Sequence, residues 1–119
     1  MSIADLLDAL DFSGGLIPVA VQDSATKDVL MIAFADREAV RLSIEKGLAT
    51  YFKRTTQEYW TKGEGSGNLQ RLLEIRYNCY ANSLLYLVEQ QGQGACHNTN
   101  ESNKPYWSCF YRTLWKNEE

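Results

Sequence analysis

Residues 29–35 read VLMIAFA, seven consecutive apolar positions. A run of that length, bounded by polar residues and too short for a membrane span, suits a strand buried on both faces. Residues 16–22 (LIPVAVQ) precede it as a second strand, and the intervening DSATK (23–27) has the short polar side chains of a turn. The two strands are therefore expected to form a hairpin. Pro18 argues for an edge position, because proline cannot donate to a ladder. Asp36 then caps a helix, DREAVRLSIEKG, whose Ala39, Val40 and Ile44 face the core and which stops at Gly47. A short helix comes first, with Ser2 as N-cap and Ile3, Leu6, Leu7 and Leu10 on one face, closed off by Gly14 and Gly15.

The remainder is strand-rich. Residues 50–54 and 58–61 carry aromatic and β-branched side chains, followed by the glycine-rich loop GEGSGN (63–68). Residues 72–80 and 84–90 alternate well enough for strands; 91–105 is a polar loop, and a last strand is expected over 106–114. With 119 residues, 45% of them hydrophobic, the chain has enough apolar side chains for one core and not for two. The expected architecture is a single α+β domain over 1–119, a small, mostly antiparallel β domain with one or two helices packed on it.

Twelve Lys+Arg against fifteen Asp+Glu leave a net charge of −3 and no basic run. That balance argues against nucleic acid as a partner, since phosphate contacts dominate such affinity. No window of about 18 apolar residues exists to span a membrane, and the acidic, amphipathic N-terminus lacks the pattern of a secretory signal. A cytoplasmic location follows as the expectation.

Cysteine makes the first chemical clue. Cys79, Cys96 and Cys109 all lie in the C-terminal half, and His97, the only histidine, directly follows Cys96. Disulfides are disfavoured in the cytoplasm, so metal binding or catalysis is the better use for the thiols. Their separations of 17 and 13 positions are not those of a zinc finger. Three thiolates would hold Zn²⁺ with one tetrahedral position open, as catalytic zinc requires; equally, the three could be small buried hydrophobes. His97 could complete such a site, act as acid or base beside it, or sit in a surface loop. Residues 54–70 combine Arg54, Lys62, flexible glycines, Ser66 and Asn68, a composition able to cradle phosphate, though also that of a hairpin turn. GEGSG is neither a Walker loop nor a dinucleotide fingerprint. Tyr59 and Trp60 read as core or interface aromatics.

Taken together, these segments resemble the phosphoribosyl-AMP cyclohydrolase family. The likeness begins with GLIPVAVQD and VLMIAFADREAV. It is strongest in R-x(5)-W-x-K-G-E-x-S-G-N-x-Q, that is Arg54, Trp60, Lys62, Gly63, Glu64, Ser66, Gly67, Asn68 and Gln70. It finishes with ACH (95–97) and SCFYR (108–112). The resemblance implies an intertwined homodimer with active sites at the subunit interface and a zinc ion held by Cys79, Cys96 and Cys109. It implies a hydrolysis in which metal-activated water attacks C6 of an adenine substituted at N1 and the N1–C6 bond opens, a step of histidine biosynthesis. His97 takes the place of the family's active-site histidine. Arg54, Trp60, Lys62, Ser66 and Asn68 are expected to hold the nucleotide.

Two departures from the family stand out. Its first cysteine is flanked by aspartates, D-C-D-x-D, which provide a Mg²⁺ site; here the stretch is Asn78-Cys79-Tyr80-Ala81-Asn82. Two amides and a phenol do not replace three carboxylates for a hard cation, so that magnesium site is expected to be weak or absent. The second is the long stretch between Cys96 and Cys109, where the family needs a short turn. Lys53 and Thr56 are smaller changes, standing where the family tends to show Ser and Arg. Two alternatives to the family activity remain open at this level. One is a repurposed hydrolase acting on another purine-like or cyclic amidine ring, and the other is a non-catalytic descendant that binds zinc or a nucleotide.

Overall fold

The computed structural model describes residues 1–118. Its elements are α1 (Ile3–Leu7), β1 (Ile17–Asp23), β2 (Val29–Ala35), α2 (Arg37–Lys46), β3 (Thr50–Lys53), β4 (Glu58–Thr61), β5 (Gln70–Tyr77) and β6 (Leu84–Gln90). Four strands form one sheet in the order β2-β1-β6-β5, and β3 and β4 pair as a separate hairpin. No helix among the described residues is long and apolar enough to cross a membrane.

Local chemistry explains the elements. In α1, Ser2 and Asp5 form a reciprocal capping box, and Leu7 is buried while Leu6, expected on the same face, is exposed. Asp36 Oδ1 accepts from the Ala39 N–H at 2.8 Å to start α2, and Gly47, at φ 70°, ends it in the left-handed conformation. The β1–β2 turn hangs on Asp23, which is buried and accepts from the Thr26 N–H and hydroxyl and, across the sheet, from the Gln90 N–H. Burial alone would raise its pKa; the hydrogen bonds outweigh that and hold the carboxyl below its ordinary value.

The β1–β2 hairpin forms in antiparallel register from Ile17↔Ala35 to Gln22↔Val29. Pro18 nevertheless does not mark an edge. β1 lies inside the sheet, paired in parallel with β6, but that ladder begins only at Val19, so the missing proline N–H falls just outside it. β2 is the edge strand instead. Its expected burial on both faces is only partial, since Val29 and Ile32 are exposed.

No strand forms over 106–114. Residues 95–107 make an irregular hairpin, with Ala95 N–H donating to Trp107 O and Tyr106 N–H to Asn98 O. The chain then touches the free edge of β2 through one backbone bond, Cys109 N–H to Leu30 O at 2.7 Å. The Ser108 hydroxyl donates to Val29 O and accepts from the Phe110 N–H, taking the place of a continuing ladder. β5 also ends earlier than expected, at Tyr77, because Asn78 opens a turn.

The core lies between the sheet, α2 and β3, with Val19, Val21, Leu30, Val40, Tyr51, Tyr86 and Val88 almost wholly buried. Through it runs a polar chain. Tyr51 OH donates to Gln70 Oε1 at 2.5 Å, Gln70 Nε2 to Gln90 Oε1 at 2.9 Å, and Gln90 Nε2 to the Gln91 carbonyl at 3.0 Å. No buried side-chain polar atom among the described residues lacks a partner. This chain joins the floor of the cavity described next to the loop that leads to Cys96.

Candidate active site

A cavity of about 500 Å³ opens where the β3–β4 hairpin faces the C-terminal segment, beside β2. Its wall includes Tyr51, Arg54, Trp60 and Lys62 from the hairpin, Met31 and Phe34 from β2, and Ala95, His97, Cys109 and Phe110 from the last third of the chain. Five residues singled out in the sequence therefore meet here: Arg54, Trp60, Lys62, His97 and Cys109.

The cavity is chemically differentiated. At one end, Lys62 is buried, and its N–H is tied to Ala49 O. Desolvation pushes its ammonium pKa down, while the neighbouring Cys109 and Cys96 thiols work against that. Burial likewise pushes the Cys109 thiol up, Cys96 adding to the rise and Lys62 opposing it. Each effect names the same neighbours, so Cys96, Cys109 and Lys62 form one cluster. Cys96 is itself buried, and its sulfur accepts from the Asn98 N–H at 3.4 Å. All three cysteines are free thiols.

At the other end, the Arg54 guanidinium lies over the Phe34 ring, 3.8 Å from its centroid. No carboxylate among the described residues pairs with it. Its position also borders a second cavity, about 520 Å³, which shares Phe34, Phe52 and Arg54 with the first and reaches Gly14, Gly15, Asp36 and Gln57. Trp60 stands between the two ends, tilted on Tyr51 with ring centroids 5.5 Å apart and 5.7 Å from the Lys62 ammonium.

Three of the residues singled out are placed elsewhere. Ser66 and Asn68 do not line the cavity. The Ser66 hydroxyl accepts from the Asn68 N–H, and Asn68 Oδ1 accepts from the Gln93 N–H at 3.0 Å. Their side chains thus shape the glycine-rich loop and fasten it to the segment after β6. Cys79 lies at the far end of the sheet. It follows Asn78, whose N–H donates to Ser83 O just before β6 begins, whereas Cys96 comes after β6 has ended. The two are thus reached from opposite ends of β6, a seven-residue strand about 20 Å long. Among the described residues no group of three or more His, Cys, Asp or Glu side chains is gathered for a metal within one chain.

Phe34 and Gln70 are contributors that the sequence reading did not assign to the site. Nothing in VLMIAFA distinguishes Phe34 from its neighbours. Gln70 had one signal, its place at the end of the resembling motif; the structure adds that it is fully buried at the start of β5, where it accepts from the Tyr51 hydroxyl.

Residues 31–111 match the family described as "Phosphoribosyl-AMP cyclohydrolase". A protein of that name from Archaeoglobus fulgidus is 53% identical over 100 residues, covering 84% of this chain and 86% of its own length. One from Methanocorpusculum labreanum is 49% identical over 110 residues, 92% of this chain and 84% of its own. A third, from Geobacter sulfurreducens, is 43% identical over 104 residues, 86% and 78% respectively. A match this long takes in both the cavity-lining hairpin and the cysteine cluster, and the chain belongs to the phosphoribosyl-AMP cyclohydrolase family.

Proposed function

We propose that the chain hydrolyses the adenine ring of phosphoribosyl-AMP at its N1–C6 bond, using zinc, with two copies of the chain completing each site. The convergence of Cys109, His97, Lys62, Trp60 and Arg54 on one cavity, with Cys96 beside Cys109, carries this reading. The activity named for its relatives supplies the substrate.

Cys96 and Cys109 offer two thiolates at one point, and an open tetrahedral zinc site needs three. Cys79 of the same chain does not join them, since no group of three such side chains gathers among the described residues. The third ligand is therefore Cys79 of the partner subunit, in a homodimer. When bound, zinc lowers the pKa of a water to about 7, providing a nucleophile at neutral pH.

The chain's own groups do the rest. Lys62, a buried cation beside the thiols, offsets part of the charge that thiolates bring into a low-dielectric pocket. Water adds to C6 and the N1–C6 bond breaks, so N1 must gain a proton; the His97 imidazole at the cavity wall is the group suited to move it. Trp60 offers an indole face on which a purine can stack. Arg54, its guanidinium over the Phe34 ring and paired with no carboxylate among the described residues, is set for a bidentate contact with phosphate. Phosphoribosyl-AMP carries a phosphate at each end, and two cavities meet at Arg54. The family's step in histidine biosynthesis makes the cytoplasm the expected compartment.

The test is turnover of phosphoribosyl-AMP by the purified, zinc-loaded protein, followed by the absorbance change on ring opening. Zinc per chain is measured on the same sample. Cys109→Ser should abolish both turnover and zinc retention; undiminished turnover in that variant rules the mechanism out.

A further inference from the structure

The turn that presents Cys79 is closed by neutral amides alone. Asn78 Oδ1 accepts from the backbone N–H groups of Asn82 and Ser83, both at 2.9 Å, and Asn78 Nδ2 donates to Asn82 Oδ1 at 2.8 Å. Two backbone bonds reinforce it, Asn78 N–H to Ser83 O at 3.1 Å and Ala81 N–H to Asn78 O at 2.9 Å. Ala81 sits at φ 55°, and its carbonyl accepts from the Asp11 N–H at 2.8 Å, which fastens the turn to the segment before β1. Cys79 itself is exposed and makes none of these bonds. Its direction is set by the residue before it and by the turn that follows.

A magnesium ion does not fit this turn. Mg²⁺ is held through carboxylates and phosphates in strict octahedral geometry, and residues 78–83 (NCYANS) contain no carboxylate. The Oδ1 atoms of Asn78 and Asn82 already accept N–H groups, and an amide nitrogen offers only donors. Tyr80 points its ring outward, 77% exposed. The cation that the family's aspartates hold beside this cysteine has no counterpart in the donor set.

We infer that Asn78 and Asn82 act as positioning residues for Cys79, fixing by hydrogen bonds the turn that a carboxylate-bound cation would otherwise organise, so that the chain works without magnesium at this position. The inference rests on the reading above in which Cys79 ligates zinc. Groups that orient a metal ligand from outside the coordination sphere are commonly worth a factor of about 10 to 100 in metal affinity.

Two measurements on the full chain test it. In the first, Mg²⁺ alone is titrated calorimetrically into the substrate-free, zinc-loaded protein. No binding is expected up to millimolar concentration, and saturable binding at the turn, abolished in Asn78→Ala, overturns the inference. In the second, zinc affinity is read by competition with a chromophoric chelator for the parent, Asn78→Ala and Cys79→Ser. Asn78→Ala should weaken zinc about tenfold or more, with Asn78→Asp, which keeps the two accepting positions, recovering part of the loss. If Asn78→Ala binds zinc like the parent while Cys79→Ser does not, the positioning role fails and the proposed function stands. If Cys79→Ser also binds like the parent, both fail.

Discussion

Co-expressing two inactive variants measures where the third thiolate comes from. Cys79 lies beside the Leu84 end of β6, Cys96 follows its Gln90 end, and Cys109 is pinned to Leu30 on β2, at the opposite edge of the sheet from β5. In a two-fold dimer each site then takes Cys79 from one protomer and Cys96 with Cys109 from the other. Pair Cys79→Ser with Cys109→Ser in one heterodimer. One site receives both substitutions and the other receives none. A purified heterodimer, selected with two tags, should show about half the parent turnover and about one zinc per dimer. An unselected equal mixture, of which about half is heterodimer, should show about a quarter.

The pair Cys96→Ser and Cys109→Ser is the built-in control. Both substitutions fall in the same half-site, so each site of that heterodimer carries one lesion and no activity returns. The assay is absorbance-detected ring opening, with zinc measured on the same fractions. Recovery in the first pair and none in the second requires the geometry above. No recovery in the first pair, from a doubly tagged dimer whose parent counterpart is active, refutes it. So does residual full activity in Cys79→Ser alone.

Three further outcomes follow from the packing. Gln70→Leu strands the Tyr51 hydroxyl and Gln90 Oε1 in the core, and should cost about 2–4 kcal/mol in denaturant unfolding; a loss under 1 kcal/mol contradicts the chain of bonds. Gly92 has φ +71°, and a Cβ there meets the Asn68 side chain, so Gly92→Ala should destabilise by about 1–3 kcal/mol, with Asn68→Ala easing the collision in a double-mutant cycle. Asp23 has a folded-state pKa below its unfolded one, so its contribution is present above the unfolded value and is lost as the pH falls through the folded one. Asp23→Asn should therefore be less stable than the parent at neutral pH and converge with it in acid, as urea midpoints across pH 2–7 would show.

How much of this was legible in the sequence depends on the kind of information each feature needs. Ser2, Asp36 and Gly47 are local signals, and α1 starts and α2 both starts and stops there, whereas α1 ends at Leu7, well short of the expected Gly14 and Gly15, with Asp8 as its C-cap. The β1–β2 hairpin is nearly local, written in DSATK, and it formed in register. The parallel pairing of β1 with β6 is not local: nothing in IPVAVQD names a partner some sixty residues later, and Pro18 pointed the wrong way because one displaced residue can sit outside a ladder that begins next to it. The 106–114 segment reads as a strand, yet it meets β2 through a single backbone bond, Cys109 N–H to Leu30 O, while the Ser108 hydroxyl takes the Val29 carbonyl. At the site, residue type and motif order brought out Arg54, Trp60, Lys62, His97 and Cys109, which do share a cavity. The same method grouped Ser66 and Asn68 with them, and only the bonds to Gly-rich backbone show where those side chains go.

A single chain leaves two things unfinished, apolar sheet edges in water and thiols that form no metal cluster among the described residues. β2 and β5 are the edges of the four-stranded sheet, and each exposes large apolar side chains: Val29 and Ile32 on one, Leu73 and Tyr77 on the other. Tyr77 and Tyr80 bracket the turn of Cys79, and exposed Phe110 follows Cys109. Apolar surface of this kind on a small domain is costly to leave in water, and three thiols too far apart to share an ion are of little use to one. A contact that set the Cys79 turn of one chain against the Cys109 side of another would bury the first and gather the second. Zinc affinity and dimer stability would then be one linked quantity, because an ion bridging two chains favours the assembled state by as much as assembly favours the ion. On that account the exposed aromatics around the cysteines belong to the chemistry as much as to the packing, and a substitution at Tyr77 or Phe110 would reach the metal through the interface.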